Sequence, residues 1–130
     1  MVDFKKVIIF CLMINDFFTW FIGNGNTRRT NKISSWFRTV LYNKSIGGSP
    51  TSKHILGLAI DIPYPSDWYS LSNAEKDTFF NNIRNKVIGL ADEYNTHYGL
   101  FRYSAHIHID FLARETNAEG DYRNTPYDSK

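Results

Sequence analysis

Two short stretches with a period of two constrain the fold more than any other feature of the chain. In the run Leu58 to Pro63, Leu58, Ile60 and Ile62 fall on one face, and Ala59, Asp61 and Pro63 on the other. Further along, Ala105, Ile107, Ile109, Phe111 and Ala113 share one face, with His106, His108 and Asp110 opposite. Successive side chains of a strand point to opposite sides, so this alternation predicts two strands, each with one face on a core. If the two pair, their aliphatic rows meet the core together, and Asp61 and His108 face one cavity. His54 precedes the first strand across a turn that Gly57 permits, because glycine tolerates positive φ. Ala59 is small and leaves room beside a bound group.

These polar groups make a recognisable donor set. Imidazole nitrogen and carboxylate oxygen bind Zn²⁺ at ~2 Å, and a catalytic zinc keeps three protein ligands with a fourth position open. His54, Asp61 and His108 are the candidate ligands, one zinc per chain. A histidine or aspartate taken alone is usually a surface or hydrogen-bonded residue, and His-x-His on a strand arises by chance. The two stretches together weigh more. With the turn that precedes the first, they hold three of the four histidines, and a buried face of this kind without a cation would need other partners.

The remaining sequence reads as one domain over residues 1–130, with enough apolar and aromatic content (42% and 16%) to bury a core. The formal charge of +2 is too small and too scattered to indicate nucleic acid. Cys11 is the single cysteine, so no internal disulfide can form, and its apolar surroundings predict a buried thiol. Lys5 and Lys6 followed by Val7–Ile14 resemble the start of an export signal, but Asn15 and Asp16 interrupt the run. No apolar stretch reaches the ~18–20 residues of a membrane span. A buried helix over residues 4–22 is expected, ended by the turn at residues 23–26. Residues 31–37 suit a strand and 39–46 a short helix closed by Gly47 and Gly48. Ser72 and Glu75 have the spacing of a capping box, opening a helix over about residues 73–95. Its core stripe is expected to be Phe80, Ile83, Val87, Leu90, Ala91 and Tyr94. Strands follow at residues 99–103 and 105–113, and the polar stretch from 115 to 130 is expected to be a loosely held tail. The fold class is therefore α+β: a small antiparallel sheet carrying the site, packed against two helices.

The motif positions Ser52, His54, Gly57, Ala59 and Asp61 match, one for one, the S-x-H-x-x-G-x-A-x-D pattern of the zinc D-Ala-D-Ala carboxypeptidases and L-Ala-D-Glu endopeptidases. That group also holds the lysostaphin type and the hedgehog signalling domain. His106-Ile107-His108 resembles its H-x-H motif. Upstream, residues 34–39 resemble a strand end carrying the substrate-binding arginine, here Arg38, and residues 42–49 resemble the segment that leads to the first histidine.

The resemblance implies a hedgehog/D-Ala-D-Ala-peptidase-like fold and a zinc metallopeptidase hydrolysing an amide bond of peptidoglycan. Zinc would be held by His54, Asp61 and His108. Arg38 would bind a substrate carboxylate or the oxyanion, a task its planar, permanently charged fork suits. Ser52 and Asn43 would bind substrate or order the loop. Many members carry a glutamate shortly before the last zinc histidine, but Tyr103, Ser104 and Ala105 stand there instead. His106 is the substitute general base, Asp110 its competitor, and a distant Glu93 or Glu115 a third candidate. The missing glutamate keeps a second class open, a zinc-containing wall- or protein-binding module without turnover. A small monomeric domain of this type, acting on the cell wall, resembles a phage lysin; carboxypeptidase and endopeptidase action are not distinguished by the sequence.

Overall fold

The computed structural model of the protein describes residues 2–23, 35–37, 40–49 and 51–124. In chain order the elements are α1 (Phe4–Gly23), α2 (Val40–Ser45), β1 (Ala59–Pro63), a 3₁₀ turn at Trp68–Ser70, α3 (Asn73–Glu93), β2 (Tyr98–Arg102), β3 (His106–Phe111) and β4 (Ala118–Asp121). The strands form one sheet in the order β1-β3-β2-β4. β3 runs antiparallel to both β1 and β2, while β4 runs parallel to β2 at the edge. The sheet is thus mixed, antiparallel where it carries the site. Residues 118–121 are not tail: they supply an edge strand, alternately half-buried and exposed, which is held through its backbone and needs no apolar face.

The two alternating stretches pair as their pattern predicts. Ile60 lies opposite Ile109, Ile62 opposite Ile107, and Leu100 of β2 opposite Ile109 on the far side. All five are fully or almost fully buried, and with Phe111 they face the helices. The opposite face of the sheet carries the polar row, in which Asp61 lies directly across from His108.

α3 begins with a complete capping box. Glu75 N–H donates to Ser72 Oγ and Ser72 N–H donates to Glu75 Oε1, both at 3.1 Å. Beyond its C-cap Tyr94, Asn95 with φ of 51° and the bonds Thr96 N–H to Ala91 O and Asn95 N–H to Asp92 O make a Schellman closure. Its buried stripe is Phe79, Ile83, Val87, Leu90 and Ala91. Phe79, not Phe80, begins it. Phe80 lies at the margin of the stripe, under the Arg102 guanidinium 4.8 Å from its ring centre.

α1 corrects two expectations. The helix runs unbroken through Asn15 and Asp16 for 20 residues, and by length and composition it is long and apolar enough to cross a membrane. Phe10, Met13, Ile14, Phe17 and Phe21 pack into the core, but Phe4, Ile8, Leu12 and Ile22 are exposed on the other side. Cys11 is also exposed rather than buried. Helical spacing places it 100° from Phe10, which takes the buried position. The strand expected at 31–37 is represented by Ser35, which bridges to Asp61, while residues 31–34 lie outside the described residues.

Candidate metal centre

The site lies on the open face of β1 and β3 and is completed by the turn that precedes β1. Successive turn bonds link Ile55 N–H to Ser52 O, Leu56 N–H to Lys53 O, and Gly57 N–H to His54 O. Gly57 has φ 70°, and a Cβ there would stand 2.9 Å from the Phe37 ring, so this position needs glycine twice over. Residues 35–37 lie against the turn and pin it. Asp61 N–H donates to Ser35 O at 2.8 Å, and Trp36 Nε1 donates to Gly57 O at 3.0 Å. Ser52 Oγ accepts from the His54 N–H at 3.2 Å, which orders the turn. Asn43 is buried and braces the preceding loop through Nδ2 to Ser49 O at 2.8 Å.

His54 and His108 present different nitrogens to the same oxygen. His54 Nδ1 lies 2.7 Å from the Trp36 carbonyl, which can only accept, so Nδ1 carries the hydrogen. Its Nε2 lies 3.0 Å from Asp61 Oδ1. In His108, Nε2 meets Asp110 Oδ2 at 2.8 Å, and Nδ1 lies 3.2 Å from that same Asp61 oxygen. With neutral rings, two nitrogen lone pairs and a carboxylate oxygen face one another. Such a cluster is repulsive until a proton or a cation enters it. The three ligand atoms lie within 4.8 Å of one another, so they could hold one metal ion, and two imidazoles with a carboxylate suit zinc.

The electrostatics point the same way. Burial opposes charge on Asp61, but its hydrogen bonds with His108 and His54 outweigh burial and hold the carboxyl well below the ordinary range. His108 is also penalised by burial, and Asp110 and Asp61 outweigh that, so its ring gains a proton more readily than a free imidazole. Burial would raise Asp110, yet His108 and Arg114 keep it ionised.

The sequence candidates separate on inspection. His54, Asp61 and His108 converge. His106 stands beside them, Nε2 3.8 Å from Asp61 Oδ2, its ring stacked on Tyr103 with centroids 4.9 Å apart. Asp110, named with the candidate bases, is fully buried behind the His108 ring. Its oxygens are taken up by His108 and by Arg114, whose Nε reaches Oδ1 at 2.8 Å and Nη2 reaches Oδ2 at 2.7 Å. Both oxygens of this buried carboxylate are therefore engaged, one of them on the His108 ring. Glu93 and Glu115 are exposed on the surface. Arg38 lies outside the described residues. Sequence reasoning missed Arg114 and the Trp36 carbonyl. Arg114, four residues beyond Asp110, left a spacing that could have raised it, but a backbone carbonyl leaves no mark in composition.

An α+β domain with a His–Asp–His cluster on the open face of its sheet defines a mononuclear metal-site protein. The chain belongs to the peptidase M15 family, whose model matches residues 29–110, well over half of its length and the whole of the His–Asp–His cluster. Members of that family are zinc-dependent peptidases, and the residues present here fit the metal. No curated protein and no solved structure matches the chain significantly.

Proposed function

We propose that this peptidase cuts an amide bond in peptidoglycan stem peptides or cross-links, as a D-Ala-D-Ala carboxypeptidase or an endopeptidase. The observation that carries the reading is the convergence of His54 Nε2, Asp61 Oδ1 and His108 Nδ1 on one point, with each ring's other nitrogen already engaged. Zinc held there supplies a Lewis acid that polarises the scissile carbonyl and makes water nucleophilic near neutral pH.

The chain's own groups do the rest. His106 lies two residues from His108 on the same strand face, so its ring borders the reacting centre without displacing a ligand. It takes the proton of the attacking water as the C–O bond forms, and returns it to the leaving nitrogen as the C–N bond breaks. Tyr103 packs flat against the ring and fixes its plane. Arg38 holds a substrate carboxylate or the oxyanion. The domain works on the cell wall, in the manner of a phage-encoded lysin.

Digestion of purified peptidoglycan, with fragments identified by mass spectrometry, tests this. Fragments should appear with zinc, vanish with a chelator and return on adding zinc back; free D-Ala marks a carboxypeptidase, and released stem peptides or separated cross-links without free D-Ala mark an endopeptidase. A second reading, a zinc-holding binding module, is favoured by the absence of a glutamate at residues 103–105. Stoichiometric zinc with intact peptidoglycan after prolonged digestion would select it.

A further inference from the structure

Arg114 plays no part in the reaction as described, yet several features of the fold bring it to the site. Leu112 has φ 68°, a left-handed conformation that residues with a Cβ seldom adopt, and this bend turns the chain back after β3. The Leu112 N–H donates to Thr96 Oγ1 at 3.1 Å and secures the bend. The guanidinium then grips Asp110 through both oxygens. Its space is prepared: the cross-strand neighbours of Asp110 are Ala59 and Gly99, and a Cβ on Gly99 would collide with Asp110 Oδ2 and Arg114 Nε. Arg114 Cζ also lies 5.0 Å over the Phe101 ring, and Phe101 is the strand neighbour of His108. An ordinary surface ion pair requires none of this.

We propose that Arg114 is a positioning residue for the metal centre, whose two-bond grip fixes the Asp110 carboxylate so that His108 is held by Nε2–H with Nδ1 presented to the cation. The inference rests on the zinc reading of the site. A carboxylate held at one point can rotate and accept through either oxygen, whereas a planar bidentate fork removes that freedom. An imidazole donating to a fixed carboxylate is set in tautomer and orientation and is a better ligand at its other nitrogen. In an Asp110→Asn protein either orientation of the amide sets its NH₂ against a guanidinium donor, so the relay fails from its middle.

The test is Zn²⁺ affinity by competition with a chromophoric chelator, together with ¹⁵N–¹H spectra of the histidine rings. In wild type loaded with zinc, His108 should carry its proton on Nε2 and the metal on Nδ1, and His54 the reverse. Arg114→Met and Asp110→Asn should each weaken zinc about 10- to 100-fold and mix the His108 ring signals. The double variant should be no worse than the weaker single, because the two act as one unit. Arg114→Lys, a point charge without the fork, should restore only part of the affinity. Gly99→Ala should lower affinity although every polar group remains, and it decides the matter with Arg114→Lys if Arg114→Met does not fold. Arg123→Met, which breaks a surface pair with Asp121, should match wild type. Wild-type affinity and an unchanged His108 spectrum in both Arg114→Lys and Gly99→Ala would overturn the proposal. Failure of the wild-type protein to bind zinc would instead overturn the zinc reading itself, and this inference with it.

Discussion

His54 and His108 turn lone pairs to the same oxygen of Asp61, but the chain supports them in different ways. His54 stands on a turn and is steadied by a neutral backbone carbonyl, that of Trp36. His108 stands in the central strand of three antiparallel ones and is steadied by an ionised carboxylate that a guanidinium clamps in turn. The first arrangement depends on loop packing: Trp36 and Phe37 against the turn, and Gly57 making room. The second depends on buried charge, which stabilises only while every partner is present. One half of the centre should therefore tolerate loosening, and the other should respond sharply to the loss of one group.

The largest effects should ignore the difference. His54→Ala, Asp61→Ala and His108→Ala each remove one of three protein ligands, so each should abolish stoichiometric zinc, read by elemental analysis, and turnover with it. Full zinc in His54→Ala alone would mean that the turn half contributes no ligand.

Next is Arg38, proposed above to act on substrate rather than metal. Arg38→Ala should keep zinc and lose about 10²–10³ in kcat, the usual effect of removing a donor to an oxyanion. Arg38→Lys should recover little, since an ammonium lacks the fork. Near-wild-type kinetics in Arg38→Ala would reduce that arginine to a structural role.

The strand half can then be divided by pairing His106→Ala with Asp110→Ala. His106→Ala should hold zinc and lose ~10²-fold or more in turnover. Asp110→Ala should act mainly through zinc affinity, weakening it about 10- to 100-fold, with turnover recovering as zinc is raised. The opposite pattern would return the base to the carboxylate. Last and smallest, Trp36→Phe removes the indole bond to Gly57 O and leaves the carbonyl that holds His54. It should cost about 1 kcal/mol in denaturant unfolding and leave zinc content unchanged. Loss of zinc in that variant would show the turn half to be as demanding as the strand half.

Much of this architecture was legible in the residues because it is local. Alternation at Leu58–Pro63 and Ala105–Ala113 carried the strands, the faces and the pairing of Asp61 with His108. Ser72 with Glu75 carried the start of α3. The hydrophobic pattern of α1 carried its helicity but not its exposure, because apolar residues surround nearly the whole helix and only packing selects the side that is buried. Phe10, Met13, Ile14, Phe17 and Phe21 are the face chosen, which leaves Cys11 and Leu12 outside. The strand at 118–121 was illegible for the opposite reason: an edge strand bonded through its backbone to β2 needs no apolar signal.

The sequence by itself determined the donor set, the strand faces that carry two of its three members, and the small residues that let the site close, since each follows from side-chain type and a period of two. Tertiary structure alone decided which nitrogen of each histidine faces the metal, and that Asp110 stands behind His108 as support. Those choices depend on partners far off in the chain or across a bend: the Trp36 carbonyl beside His54, and Arg114 returned onto Asp110 by the left-handed Leu112. A tautomer is fixed by what the other ring nitrogen meets, and that neighbour exists only once the chain has folded.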